Sequence, residues 1–430
     1  MKKEPMNTFL GRTVSVCFSG IQNEAVRVGH PSFFLVGDSH ASLFEEPTWF
    51  LFKKYVQRGT TPSINTWNAA AYDLKTWFQF LLAIHVDWRE ATEDHRRMFA
   101  DAYAGAVSSN GFEYSEITIN RRLSTIRAFY RFAQEQQWYS GMIGGDVELV
   151  EQRNLPIDED MLAHIRSSNW HVREKDPLLF KVGRSDVVRP MQVKELRKLC
   201  SHLGPNAADR RGDMRRVRDR LIVDCAIYGG LRLNDVVQKL TTLKFLSLIV
   251  EPGQELQEFP IIIEKSKGKV TRQATLPGWL ILDIQAYIDG ERADTVRRGP
   301  KGHKAIQLFL GHANSKVAGR PITNSAVQKM FELACRQCGI TENVAWIDHV
   351  TGEKQAKVVP KHSFHDLRHN CAVLTYHAEV NAGNPEPWKV VQVKLGHKSV
   401  KVTMDTYLAH VTIFGEKQNI VDVRKMIGLR

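Results

Sequence analysis

Between about residues 40 and 140, apolar side chains recur at three- and four-residue steps, and many of them are aromatic. On Ser63 to Ile84 they are Trp67, Ala70, Leu74, Trp77, Phe78 and Leu81; on Thr118 to Trp138 they are Leu123, Ile126, Phe129, Tyr130 and Ala133. That period puts them on one face of an α-helix. Faces so rich in large rings need other helices to cover them, which predicts a helical bundle with these aromatics as its core. Shorter candidates complete the bundle: one carries Trp49, Phe50, Phe52, Lys53 and Val56, and another runs from Asp94 to Val107. Ser63 stands at an N-cap position, and Arg121, Arg122, Arg127 and Arg131 line the opposite face of the last helix.

The pattern changes on either side. Thr13–Phe18 and Ser32–Val36 read as short strands punctuated by Gly and Pro. Residues 141–186, with glycine clusters, Pro156, Pro177 and mixed charge, read as a linker. Helical periodicity resumes near Arg189-Pro190, where the first basic cluster (Arg210, Arg211, Arg215, Arg216, Arg218, Arg220) is diluted by aspartates. Residues 245–277 become strand-like: Phe259 to Ile263, a turn at Lys267-Gly268, then Val270 to Leu276, a β-hairpin with basic residues around its turn. From 278 to the end the pattern is helical. The expected fold class is therefore mainly α with a small β-sheet. At 430 residues the chain is too long for one core. The expected division is an N-terminal extension at 1–40, a helical domain at 41–140, a linker at 141–186 and a second domain at 187–430.

No stretch approaches 18 apolar residues, and the N-terminus lacks the apolar run of a signal peptide. A cytoplasmic protein without membrane contact is expected. A formal charge of +12 favours a polyanionic partner, of which nucleic acid is the commonest. It makes the row Arg121, Arg122, Arg127 and Arg131 a candidate DNA-binding face, with a solvated face as the plainer alternative. Six cysteines are too sparse for a disulfide framework. Cys335-Arg-Gln-Cys338 has metal-ligand spacing, but no second pair completes four ligands. Two buried thiols are expected there, and no metal or cofactor.

Three boxes in the C-terminal half carry chemistry. Gly229-Gly230-Leu231-Arg232 sets an arginine behind a glycine break, with Asp235 one helical turn further on. His362-Ser-Phe-His365-Asp-Leu-Arg368-His369 puts His365 and Arg368 on a shared helix face. Leu395-Gly-His397-Lys-Ser follows, with Tyr407 ten residues after His397. Each residue alone has a plainer role: Arg232 a salt bridge with Asp235, His365 a helix-end residue, Tyr407 a half-buried aromatic. Together and in this order they resemble the catalytic boxes of the tyrosine recombinases, the family of phage integrases and Xer-type recombinases. The resemblance covers about 190–415 by motif and 40–140 by architecture only. One departure is that many members place the tyrosine nine residues after the second histidine, where here it stands ten after.

The resemblance implies a C-shaped DNA clamp, a helical core-binding domain of SAM-like type at 41–140 and a catalytic domain at 187–430. It implies site-specific cutting and rejoining of double-stranded DNA through a 3′-phosphotyrosine, without metal or ATP. Arg232 and Arg368 would grip the scissile phosphate, Asp235 would hold the first guanidinium, and Tyr407 would attack phosphorus. His365 would act as base or orienting group, and His397 would hydrogen-bond the phosphate. A hairpin lysine would protonate the leaving 5′-oxygen; Lys267 fits best, with Lys265 and Lys269 as competitors. Lys269 and Arg272 are further candidate DNA contacts. His362, His369 and His410 are read as structural or phosphate-shell residues, and Tyr376 as packing. The family acts as a homo-tetramer on two duplexes, sometimes with accessory directionality proteins, and a prokaryotic nucleoid location would follow. Residues 1–40 would be an accessory or arm-type DNA-binding segment. The surplus length at 1–40 and 141–186 favours the integrase or transposase of a mobile genetic element. The alternatives are Xer-type chromosome-dimer resolution, a type IB topoisomerase and a non-catalytic DNA-binding regulator on the same fold.

Overall fold

The computed structural model describes residues 9–20, 28–38, 40–57, 63–106, 113–144, 176–181, 189–206, 209, 212–264, 271–300, 305–347, 354–397 and 399–407. They pack as two units: the residues up to 185 with a short piece at 345–356, and the remainder.

The first unit joins a three-stranded antiparallel sheet to a helical bundle. The strands are β1 (Thr13–Phe18), β2 (Pro31–Val36) and β3 (Ala41–Phe44), in the order β1-β2-β3. The helices are α1 (Glu45–Leu51), prolonged by π-helical turns over Phe52–Gln57, then α2 (Ile64–Ala83), α3 (Glu93–Ala104) and α4 (Glu116–Glu135). Alternation along β2 turns Phe33 and Leu35 inward, and Phe33 pairs with Phe44 across the register. Their rings meet Phe78 of α2 edge-on or tilted, at 6.0 and 4.9 Å. Sheet and helices therefore share one core, and the expected break at residue 40 is not a break in packing. The aromatic stripes of α2 and α4 are buried as read. Their polar atoms are satisfied inside, because Trp77 Nε1 donates to Tyr130 Oη at 3.1 Å and Tyr130 Oη donates to the Trp88 carbonyl at 2.8 Å. Both ends of the expected linker belong here too: Ile143 and Asp176 are buried, and Asn120 brackets Phe180 through its N–H and carbonyl at 2.8 and 2.9 Å.

The arginine row on α4 is not the open cationic face that the sequence suggested. Arg121 pairs with buried Asp73 at 2.6 Å, and Arg122 lies between the rings of Tyr103 and Tyr114, 4.3 and 4.5 Å from their centres. Arg127 is buried, 3.7 Å from Asp176, while Arg131 lines a cleft with Lys53 and Lys54. The physical reason is that two carboxylates, Asp73 and Asp176, are buried in this unit. A buried charge needs a partner, so the helix turns its cations onto them.

The second unit is built around α6 (Val217–Gly229), which is buried at every position from Arg220 onward. Its two inward cations are matched. Arg220 makes two 2.9 Å bonds to Asp224, and Arg218 holds Asp219 and the Leu310 carbonyl. Around it stand α5 (Val193–Leu203), α7 (Leu233–Gln238), α8 (Thr242–Leu246), α9 (Gly278–Tyr287), α10 (Ala293–Arg298) and α11 (Asn324–Gln337). The expected strands pair antiparallel as β4 (Glu258–Ile263) and β5 (Arg272–Pro277), and β5 packs on α6. A second strand pair, β6 (Thr341–Ile347) and β7 (Lys354–Pro360), interrupts the run that the sequence presented as helical to the end. Then come α12 (Phe364–Asn381), α13 (Pro387–Leu395) and α14 (Val400–Tyr407). Asn370 of α12 exchanges two hydrogen bonds with the backbone of Met191, fixing where the chain enters this unit. Cys335 and Cys338 are buried free thiols. Among the described residues no helix is long and apolar enough to cross a membrane.

Candidate active site

The site lies within the second unit, where the ends of α6, α12 and α13 meet. Gly230 closes α6 in the left-handed conformation at φ 57°, and Gly396 closes α13 in the same way at φ 63°. Neither has room for a side chain: a Cβ on Gly230 would stand 2.8 Å from Leu395 Cδ2, and one on Gly396 2.9 Å from Arg272 Cδ. The glycine of each box therefore serves close approach as well as a turn. Arg232 follows as the N-cap of α7. On α12, Ser363 and Asp366 form a capping box that starts the helix immediately before His365.

Arg368 is 2% exposed, and among the described residues it forms no ion pair. Its guanidinium donates instead to two main-chain carbonyls, Gly230 and Leu395, the latter at 2.6 Å. Burial, with Arg232 and Arg272 close by, pulls it down to about 10 from 12.5. Arg272, at the start of β5, donates to Asp235 at 2.7 Å and reaches the Leu395 carbonyl at 3.5 Å. Asp235 stands 4.0 Å from Arg232. The carboxylate expected to hold Arg232 thus serves Arg272 first, because β5 delivers that guanidinium closer than the i,i+3 helical spacing does. Burial and Arg272 also lower Arg232. Among the described residues, three guanidiniums converge here against the carboxylate of Asp235.

Tyr407 ends α14 at 2% exposure. Its hydroxyl and His369 Nδ1 are 2.9 Å apart, and its ring lies parallel to that of His397 with centres 6.3 Å apart. Burial pushes the phenol up to about 12, opposed by Arg368 and Arg232. His397 Nδ1 meets Thr403 Oγ1 at 2.9 Å, and burial with the three arginines holds the imidazole down at about 4, so it is neutral near pH 7. His365 is exposed at the start of α12, its ring edge-on to His369 at 4.8 Å. The flanking residues take other roles. His362 is buried against Glu195 at 3.2 Å, and Tyr376 packs on Trp388 with ring centres 4.3 Å apart.

The structure thus gathers Arg232, Asp235, Arg272, Arg368, His397 and Tyr407. Lys265, Lys267 and Lys269 fall outside the described residues, as does His410. Sequence reasoning undervalued two side chains. Arg272 reads from the sequence as a candidate DNA contact, and His369 as a structural or phosphate-shell residue. Its spacing four residues after His365 was the available sign, since i and i+4 share a helix face.

The family model for the phage integrase N-terminal SAM-like domain matches residues 51–137, and that for the phage integrase family matches residues 187–412, more than half of the chain. The chain is 22% identical over 304 residues to the tyrosine recombinase XerC of Halalkalibacterium halodurans, covering 70% of this chain and 73% of the relative. Among solved structures it is similar to the XerH recombinase bound to palindromic difH substrate, at 16% identity and TM-score 0.49, with 83% of this chain and 78% of the other covered. It is also similar to a lambda integrase tetramer bound to a Holliday junction, at 14% identity and TM-score 0.44, with 83% and 76% covered. The Tn1549 transposon integrase with circular intermediate DNA matches at 15% identity and TM-score 0.41, with 78% and 89% covered.

Proposed function

Because the chain belongs to the phage integrase family and is a site-specific DNA recombinase of the tyrosine type, we propose that it cleaves DNA with Tyr407 and serves a mobile genetic element. The observation that carries the assignment of residues is the imbalance of charge among the described residues: Arg232, Arg272 and Arg368 against Asp235, with Arg368 buried and bonded there to carbonyls. Buried charge without a counter-ion is costly. A phosphodiester anion supplies the missing charge.

Arg232 and Arg368 grip the non-bridging oxygens, where planar guanidinium suits a two-point contact. Asp235 and Arg272 buttress them. His397 acts as a neutral donor. The Thr403 hydroxyl lies 2.9 Å from Nδ1 but 3.5 Å from the Ser399 carbonyl, which favours donation to the ring and leaves the proton on Nε2 for the phosphate. Tyr407 attacks phosphorus, the 5′-oxygen leaves with a proton from Lys267, and the phosphotyrosine retains the ester bond so that rejoining needs no further energy source. Strand exchange proceeds in a homo-tetramer on two duplexes. The long first unit and the segment at 145–175 support the mobile-element assignment by their length.

The experiment is a denaturing gel of wild type, Tyr407→Phe and Tyr376→Phe incubated with nicked duplex from the DNA flanking the gene, in EDTA. A covalent band lost only in Tyr407→Phe is the expected result. A band that survives Tyr407→Phe refutes the nucleophile, and no band on DNA that the wild type binds refutes the reading.

A further inference from the structure

The family's second box offers two histidines, and the one nearer the nucleophile is the second. Among the described residues the Tyr407 hydroxyl has one hydrogen-bond partner, His369 Nδ1, at 2.9 Å. The rings are 5.5 Å apart and tilted by 57°, so the bond lies at the edge of the imidazole rather than over its face. His365, by contrast, stands in solvent at the helix start, and its ring meets His369. The order from inside to outside is therefore Tyr407, His369, His365.

We infer that His369 is a catalytic residue that accepts the Tyr407 proton during attack, with His365 behind it on the path to water. The inference rests on the proposed role of Tyr407 as nucleophile. In the forward step the O–H bond of Tyr407 breaks, and its proton goes to His369 Nδ1. The phenolic oxygen bonds to phosphorus, and the P–O5′ bond breaks with its electron pair on the 5′-oxygen, which takes a proton from the general acid. Rejoining runs in reverse, with His369 returning its proton to the departing phenol. A phenol held up at about 12 keeps its proton at neutral pH, so it has a proton to donate in this bond, and Nδ1 accepts it in the Nε2–H tautomer of His369. Among the described residues, the titratable and charged groups facing His369 and Tyr407 are Asp366, Arg368 and Cys371 on α12, Arg232 before α7, and the neutral His397 after α13, besides His365 itself. Asp366 favours a proton arriving on His369, while the arginines favour a phenolate.

The test uses the full chain on the nicked flanking duplex, timing the covalent band from pH 5.5 to 9 for wild type, His369→Gln and His365→Gln. Removal of a general base costs on the order of 10²-fold or more. His369→Gln is expected to lose that much and also the acid-side fall in rate. A 5′-bridging phosphorothiolate, whose sulfur leaves without a proton, should not restore His369→Gln, because the missing group acts on the other oxygen. For His369→Ala, added imidazole should restore part of the rate, which keeps the test valid if glutamine misfolds. The inference is overturned if His369→Gln cleaves within about threefold of wild type with the same acid limb, if the phosphorothiolate restores it fully, if imidazole restores nothing, or if the acid limb disappears only in His365→Gln. Failure of wild type to form any band would instead sink the proposed function.

Discussion

Arg368→Met is expected to leave the second unit as stable as wild type or more so, while eliminating cleavage. The guanidinium is held at about 10 instead of 12.5 by burial and by Arg232 and Arg272, a difference of about 3 kcal/mol at about 1.4 kcal/mol per pKa unit. Because the folded value is the lower one, this cost is present in full below pH 10 and is relieved only as pH rises toward 12.5. Methionine fills a similar volume without charge. It leaves the Gly230 carbonyl without this donor, at a cost of about 1–3 kcal/mol, whereas Leu395 keeps a 3.5 Å contact with Arg272. The net change lies between zero and a gain of about 2 kcal/mol, which at about 2–4 °C per kcal/mol is a rise of up to about 8 °C. Calorimetry of the full chain without DNA measures it. An anion should then reverse the order: inorganic sulfate ought to raise the wild-type midpoint and not that of the variant. A drop of several degrees in Arg368→Met without DNA would refute the reasoning, because it would mean that the two carbonyl bonds outweigh the unpaired charge.

Two further outcomes follow from other buried groups. Asp176→Ala should destabilise the first unit by about 3–5 kcal/mol, since it strands the fully buried Arg96; an unchanged urea midpoint would show that residues 176–181 are not part of that unit. His397 titrates at about 4 when folded, against 6.5 ordinarily, so between those values the unfolded chain binds the extra proton and stability falls as pH falls. His397→Asn should flatten that slope in denaturant titrations at pH 4.5 and 6.5, and an identical slope would contradict the burial of a neutral imidazole.

Much of this was legible in the sequence where short-range geometry decides it. The stripe Trp67 to Leu81 needed only the helical period, and the box around Arg368 only a cap and a turn. Legibility ended where a partner comes from a distant segment. Arg127 reads as a surface cation until Asp176, 49 positions on, is buried beside it. Asp235 reads as the partner of Arg232 because the two share a helix turn, yet β5 brings Arg272 closer. Strand β7 has too few apolar positions to announce itself, and its burial falls almost wholly on Val359. The sheet β1–β3 was half visible: β1 alternates and β2 is a short apolar run, but nothing local says that they cover Phe78. His369 needed Tyr407 in place before it could be told apart from its neighbour.

The shared acceptor at Leu395 has a consequence for how such a site can be mapped. Two arginines lean on a peptide oxygen, and a peptide oxygen belongs to the chain whatever residue is encoded there. Alanine scanning will report position 395 as packing alone, a leucine in a small apolar cluster, and will pass over its bond to Arg368. Exchange of that amide for an ester by chemical ligation, which weakens the carbonyl as an acceptor without changing its shape, is the substitution that would make it visible.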